Sequence, residues 1–121
     1  MANYIDGFVL PIPRSRLDAY RSLVEVVAQI WKEHGALDYR EYVSEDQTAT
    51  GTGSFSEFAG AADDEVIIFG WVAFESRAAR DLANERVAAD SRMPDLASLS
   101  NAGFDAQRMA YAGFSPLVGG S

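Results

Sequence analysis

A chain of 121 residues with ten basic and eighteen acidic side chains carries a formal net charge of −8, and 48% of its residues are hydrophobic. That length fits one domain, residues 1–121, able to bury about two thirds of its unfolded surface without staples. The absence of cysteine excludes disulfide and thiolate chemistry, one lysine among scattered arginines excludes a phosphate-binding patch, and no apolar run reaches membrane-spanning length.

Nucleic acid and membranes are therefore not expected as partners. A lone histidine without cysteine leaves a zinc or haem-iron site short of ligands, so neither metal nor cofactor is expected. The N-terminus lacks a basic region followed by an apolar core, and a cytoplasmic location is expected.

Tyr4 to Leu10 (YIDGFVL) reads as a first strand, with Asp6 and Gly7 inside it. Glycine there marks a bulge or a close approach, and Pro11 and Pro13 are expected to end the strand. Ser15 is expected to cap the first helix, with Asp18 as the reciprocal acid. Leu17, Tyr20, Val24, Val27, Trp31 and His34 recur at helical spacing, widened by Leu23 and Ile30, and Gly35 stops the helix in a left-handed conformation. Ala36 to Ser44 places Leu37, Tyr39, Glu41 and Val43 on one face and Asp38, Arg40 and Tyr42 on the other, as an edge strand would. Residues 45–53 are a polar, glycine-rich loop, and 54–62 fits either a helical turn or an irregular strand.

Val66 to Phe74 is the long uninterrupted apolar run and is expected to be the central strand. Neither of its alternating faces is polar, so both need cover. Ser76 is expected to cap a helix from Arg77 to Ala89 whose core stripe is Ala79, Leu82, Ala83, Arg86 and Val87. Pro94 breaks the chain, Asp95 to Ser100 fits a short helical turn, and Asn101-Ala102-Gly103 is a turn. Gln107 to Phe114 is the last strand, and the Gly-Ser tail is expected to fray.

The order β-α-β-β-α-β gives an α+β, ferredoxin-like fold: a four-stranded antiparallel sheet with two helices on one face. Strands joined across a helix are expected to be parallel and adjacent. The open face, beneath an apolar central strand, is expected to meet a second copy, giving a homodimer and a dimeric α/β barrel.

His34 is the only histidine and the natural acid–base group, but its place in the last helical turn is explained by the helix dipole alone. Asp6, mid-strand, is either ion-paired or lines a cavity, and Arg108 on the last strand is its expected partner. Trp71, Tyr42 and Tyr111 are core residues or pocket walls. Asp90, Ser91 and Arg92, after the second helix, order an anion or a partner chain, or tie the loop. Two functions stand open. In one, a cleft between sheet and helices, with Asp6, Arg108 and Trp71 as its polar and aromatic contacts, binds or transforms an apolar or aromatic metabolite without a cofactor. In the other, the interior is filled and the protein is a non-catalytic structural or stress-related interaction protein. The residues do not decide whether it is an enzyme.

Four segments together resemble the YbaA-like family, the domain of unknown function numbered 1428, nearly end to end: YIDGFVLPIP, KEHGALDYREYVSED, FGWVAFESRAARDLANERVAADSRM and GFDAQRMAYAGF. Gly70 stands where that family usually has Ser, Ser91 and Gly103 where it has Pro, Gln107 where it has Lys and Ala112 where it has Gly. The resemblance implies a ferredoxin-like dimeric α/β barrel of no established activity, a fold that also hosts cofactor-free monooxygenases, haem-degrading enzymes, lactone isomerases and stress proteins. Asn3 and Trp71 are similar to the Asn and Trp of the haem-degrading relatives, but the histidine those use on the second helix is absent.

Overall fold

In the computed structural model, which describes residues 2–119, four strands form one antiparallel sheet: β1 (Tyr4–Pro13), β2 (Asp38–Val43), β3 (Glu65–Phe74) and β4 (Ala110–Phe114), ordered β2-β3-β1-β4. The end of the expected frayed tail, Gly120 and Ser121, lies outside the described residues. The arrangement is ferredoxin-like, with one correction: β1 and β2 are parallel but not adjacent, because β3 inserts between them. The two longest strands take the two central positions, where both flanks are hydrogen-bonded, and the shorter β2 and β4 are left at the edges.

Pro11 and Pro13 do not end β1. The Arg14 N–H donates to the Asp64 carbonyl at 2.8 Å, so the even-numbered residues of β1 bond towards β3. The two proline nitrogens point the other way, past the last β4-paired residue of β1, Val9, where no N–H is needed.

A 3-10 turn (Arg14–Arg16) feeds directly into α1 (Leu17–Glu33), with the Leu17 N–H bonded to the Arg14 carbonyl. Ser15 is therefore inside the turn and caps nothing. Tyr20, Val27 and Ile30 are buried on the sheet side, and Gly35 follows the helix with φ +117°. The Ser76 hydroxyl does cap α3 (Arg77–Ala88), accepting from the Ala79 N–H at 3.0 Å. Its stripe is narrower than the sequence suggests: Ala83 and Val87 are buried, while Leu82 and Arg86 are exposed and Arg80 turns inward. Asp95 caps α4 (Leu96–Asn101). Asp105 then opens a 3-10 turn (Ala106–Arg108), which removes Gln107 and Arg108 from the last strand.

The sheet's faces follow β3. Val66, Ile68, Val72 and Phe74 join Leu10, Ile12, Tyr20, Ala36 and Ala83 in two buried clusters beneath α1 and α3. Opposite them, Ile67 is 2% exposed but Phe69 is 45% exposed. Not all helices lie on one side. The segment that fitted two readings is α2 (Phe55–Ala59), capped by Ser54, and its Phe55 ring packs at a tilt against Phe69, with centres 6.1 Å apart, on the otherwise open face. Among the described residues no helix is long and apolar enough to cross a membrane.

Candidate functional site

Two rows of side chains cross the helix-side face of the sheet. Tyr39, Val72, Asp6 and Gly113 align in one, and Glu41, Gly70, Phe8 and Tyr111 in the next. The Phe8 ring occupies the space above Gly70, where an added Cβ would come within 2.4 Å of it. Above these rows lies a cavity of about 500 Å³. Its roof is Tyr20, Val24, Val27 and Trp31 from α1, closed by Asn84 of α3 and by Met93, Leu99, Phe104 and Met109 from the segments around α4.

One end of the cavity is an ion pair. Arg80 Nη1 donates to Asp6 Oδ1 at 2.6 Å and to the Tyr111 hydroxyl at 2.7 Å, its Nε donates to Asp81 at 2.9 Å, and its guanidinium sits 5.0 Å from the centre of the Tyr4 ring. Burial alone would weaken the Arg80 cation; the Asp81 hydrogen bond and the charge of Asp6 more than offset it and raise its pKa. The Tyr111 hydroxyl is pushed up to about 12, first by burial and then by its hydrogen bond to Asp6.

The other end is a carboxyl held by phenols. Tyr20 donates to Glu41 Oε1 at 2.5 Å and Tyr39 to Oε2 at 2.6 Å. Burial pushes the Glu41 carboxyl above its ordinary range against the lowering effect of both phenols. Burial, then the charge of Glu41, holds Tyr20 and Tyr39 well above the usual phenol range.

At the rim, His34 Nε2 lies 2.8 Å from Asp90 Oδ2. Asp90 also accepts from Arg92 at 2.7 Å, and Arg92 reaches Glu33 at 2.9 Å. The Arg92 hydrogen bonds, then His34, hold the Asp90 carboxyl far below its ordinary range. His34, Asp90 and Arg92 thus clip the end of α1 to the loop that carries the cavity residue Met93. The single histidine shares with Arg92 a carboxylate that ties two segments together.

Of the other residues singled out from sequence, Asp6 and Tyr111 line the cavity. Trp71 and Tyr42 do not: they share the parity of Phe69 and face the opposite side of the sheet, where Trp71 borders an apolar groove. Arg108 does not pair with Asp6. It donates to both Glu65 oxygens, at 2.6 and 2.7 Å, and to the Gly60 carbonyl at 3.1 Å. The 3-10 turn holds it before β4 begins, near the far end of β1, and Arg80 from α3 takes its expected place. Sequence reasoning passed over Glu41, Tyr20, Tyr39 and Arg80. The available signal was a carboxylate sharing its strand face with Leu37, Tyr39 and Val43. Among the described residues no group of three or more His, Asp or Glu is placed to hold a metal ion.

The family described as "Protein of unknown function (DUF1428)" matches residues 3–106. The chain is 33% identical over 115 residues to the uncharacterized protein YbaA of Escherichia coli strain K12, covering 95% of this chain and 97% of that one. The same identity and coverage hold for YbaA of Shigella flexneri. Among solved structures it is similar to a NIPSNAP family protein with unknown function from Agrobacterium tumefaciens, with a TM-score of 0.57 and 20% identity over 93% of this chain and 86% of the other. That similarity is one of fold alone.

Proposed function

The chain belongs to the DUF1428 family of proteins of unknown function, so its role is read from its own cavity, and we propose that it binds a small apolar or aromatic molecule between sheet and helices, without a cofactor. The observation that carries this reading is a space of about 500 Å³ with apolar walls and a carboxyl group at each end. Ligand sites occupy roughly 300–1,000 Å³ and combine mostly apolar walls with a few placed polar groups. A carboxyl kept in an apolar interior costs stability unless it is paired or used. The contacts are Asp6, Tyr111 and Glu41, in place of the Arg108 and Trp71 expected from sequence. A structural or stress-related protein with a filled interior has no need of such a space.

The test is thermal unfolding against a panel of small aromatic and apolar compounds, run on the wild type and on the cavity-filling variant Val24→Phe. The reading expects a concentration-dependent rise in Tm for the wild type that the variant lacks. A flat panel at millimolar concentrations, or an equal rise in both proteins, overturns it.

We also propose that a second copy covers the open face, making the protein a homodimer. Ile5, Val9, Phe69, Trp71, Ala110 and Phe114 border a groove with no charged side chain, and Phe69 and Phe114 are 45% and 51% exposed. An uncharged face on a chain of net charge −8 complements its own copy better than a charged partner. Light scattering after size exclusion should give twice the chain mass, and Phe114→Asp should halve it. A wild type that stays monomeric at high concentration overturns this assembly.

A further inference from the structure

From the charges that line the cavity, and resting on the ligand reading above, we infer that its ligand is an organic cation: an amine on an apolar or aromatic body, with the ammonium held by Glu41. Among the described residues, the charged side chains on the cavity wall are Asp6 and Glu41, both acids, and no Lys, Arg or His lines it. Asp6 has its counter-ion in Arg80, whose Nη1 donates to Asp6 and Tyr111, whose Nε donates to Asp81 and whose Nη2 donates to the Tyr4 hydroxyl at 3.4 Å. Arg80 already faces two carboxylates, Asp6 and Asp81, so its charge is balanced before an anionic ligand arrives.

Glu41 differs from Asp6. Its partners are the hydroxyls of Tyr20 and Tyr39, which carry no positive charge, and among the described residues it joins no ion pair. Each carboxylate oxygen has a lone pair beyond the one that a phenol occupies, and an ammonium brings three donors. Glu41 is half-buried, and a ligand ammonium would give this carboxylate the counter-ion that its own chain does not supply. The rings of Tyr20, Tyr39, Trp31 and Phe8 border the same space and present the aromatic faces that attract organic cations once water is excluded.

The same geometry fixes a pH dependence. The groups facing Glu41 are Tyr20 from α1 and Tyr39 on its own strand, with the Asp6–Arg80 pair and Tyr111 at the far end of the cavity. Only the ionised carboxylate holds an ammonium, and burial resists that ionisation, so amine affinity rises with pH as Glu41 loses its proton.

Calorimetry on the full chain tests this with phenethylamine, phenethyl alcohol and phenylpropionate, which share a body and differ in charge. The amine should bind about tenfold tighter than the alcohol, the propionate should bind weakest, and the amine's advantage should grow as pH rises above the ordinary glutamate range. Glu41→Gln should bring the amine's affinity down towards that of the alcohol, and Glu41→Asp, which keeps the charge, should retain the preference. An alcohol or propionate that binds as well as the amine overturns the cation and leaves the cavity reading standing. No binding by any of the three overturns the cation as well, and a flat thermal panel alongside it removes the cavity reading too.

Discussion

Asp6 and Arg80 lie 74 residues apart in sequence and meet at 2.6 Å, where their side chains keep 6% and 11% of their exposure. Removing one partner of such a pair leaves the other charge buried and unpaired, which typically costs about 3–5 kcal/mol. Arg80→Ala should therefore lower unfolding free energy by about that much, and Asp6→Ala by a similar amount. The double variant should lose clearly less than the sum, by about 1–3 kcal/mol. Urea denaturation of the three variants checks it, and strict additivity would show that the pair is not coupled.

Glu41 makes a prediction of opposite character. Its carboxyl is raised by burial, so the folded state holds the proton more tightly than the unfolded chain. Below the unfolded value, about 4.3, the group is neutral in both states and has no effect. As pH rises from there through the raised folded value, stability falls. Glu41→Gln should remove that fall, and near neutral pH its Tm should equal or exceed the wild type's, with about 4 °C for each kcal/mol recovered. A variant markedly less stable than wild type at every pH contradicts this.

Glu65 titrates in the reverse sense. Its hydrogen bonds from Arg108, then from the Ala62 N–H, lower its pKa to about 2. The stability this gives is complete above the unfolded value, near 4.3, and is lost as pH falls towards about 2. Arg108 is partly exposed, so Arg108→Ala should cost only about 1 kcal/mol at neutral pH and should flatten the acid limb of the stability curve. An unchanged acid limb contradicts it.

Much of this architecture could be read directly. The apolar run from Val66 to Phe74 is a central strand, the stripe from Leu17 to Trp31 is a helix on the sheet, and Ser76 caps the next helix, because each signal is local. What failed depended on neighbours. Pro11 and Pro13 stay in β1 because β4 stops short of them. Either Arg80 or Arg108 could have met Asp6, and the turn opened by Asp105 decides between them by delaying the start of β4. The parity of Trp71 with Phe69 is visible in the sequence, but the register that puts Tyr42 beside Phe69, and which face of the sheet the helices cover, are not. In the sequence Glu41 is a polar residue among apolar ones; its chemistry emerges only when α1 brings Tyr20 to it.

Gly70 is a further test of the cavity floor. A side chain there meets the Phe8 ring and the Arg40 carbonyl, which lies 3.0 Å from the added Cβ. Gly70→Ser should push Phe8 into the cavity, cost about 1–3 kcal/mol by overpacking, and reduce ligand-induced stabilisation. Calorimetric melts with and without ligand would show both effects, and a variant as stable and as responsive as wild type contradicts the placement of Phe8.

The most direct measurement uses reporters that the cavity already contains. Met93 and Met109 line it, so their methyl resonances, in protein carrying carbon-13 methyl methionine, sense anything that enters. Titration with phenethylamine should move both signals together along one saturable curve, with the shifts abolished in Val24→Phe. Signals that stay fixed while the ligand rises to millimolar concentration would mean that nothing enters between sheet and helices.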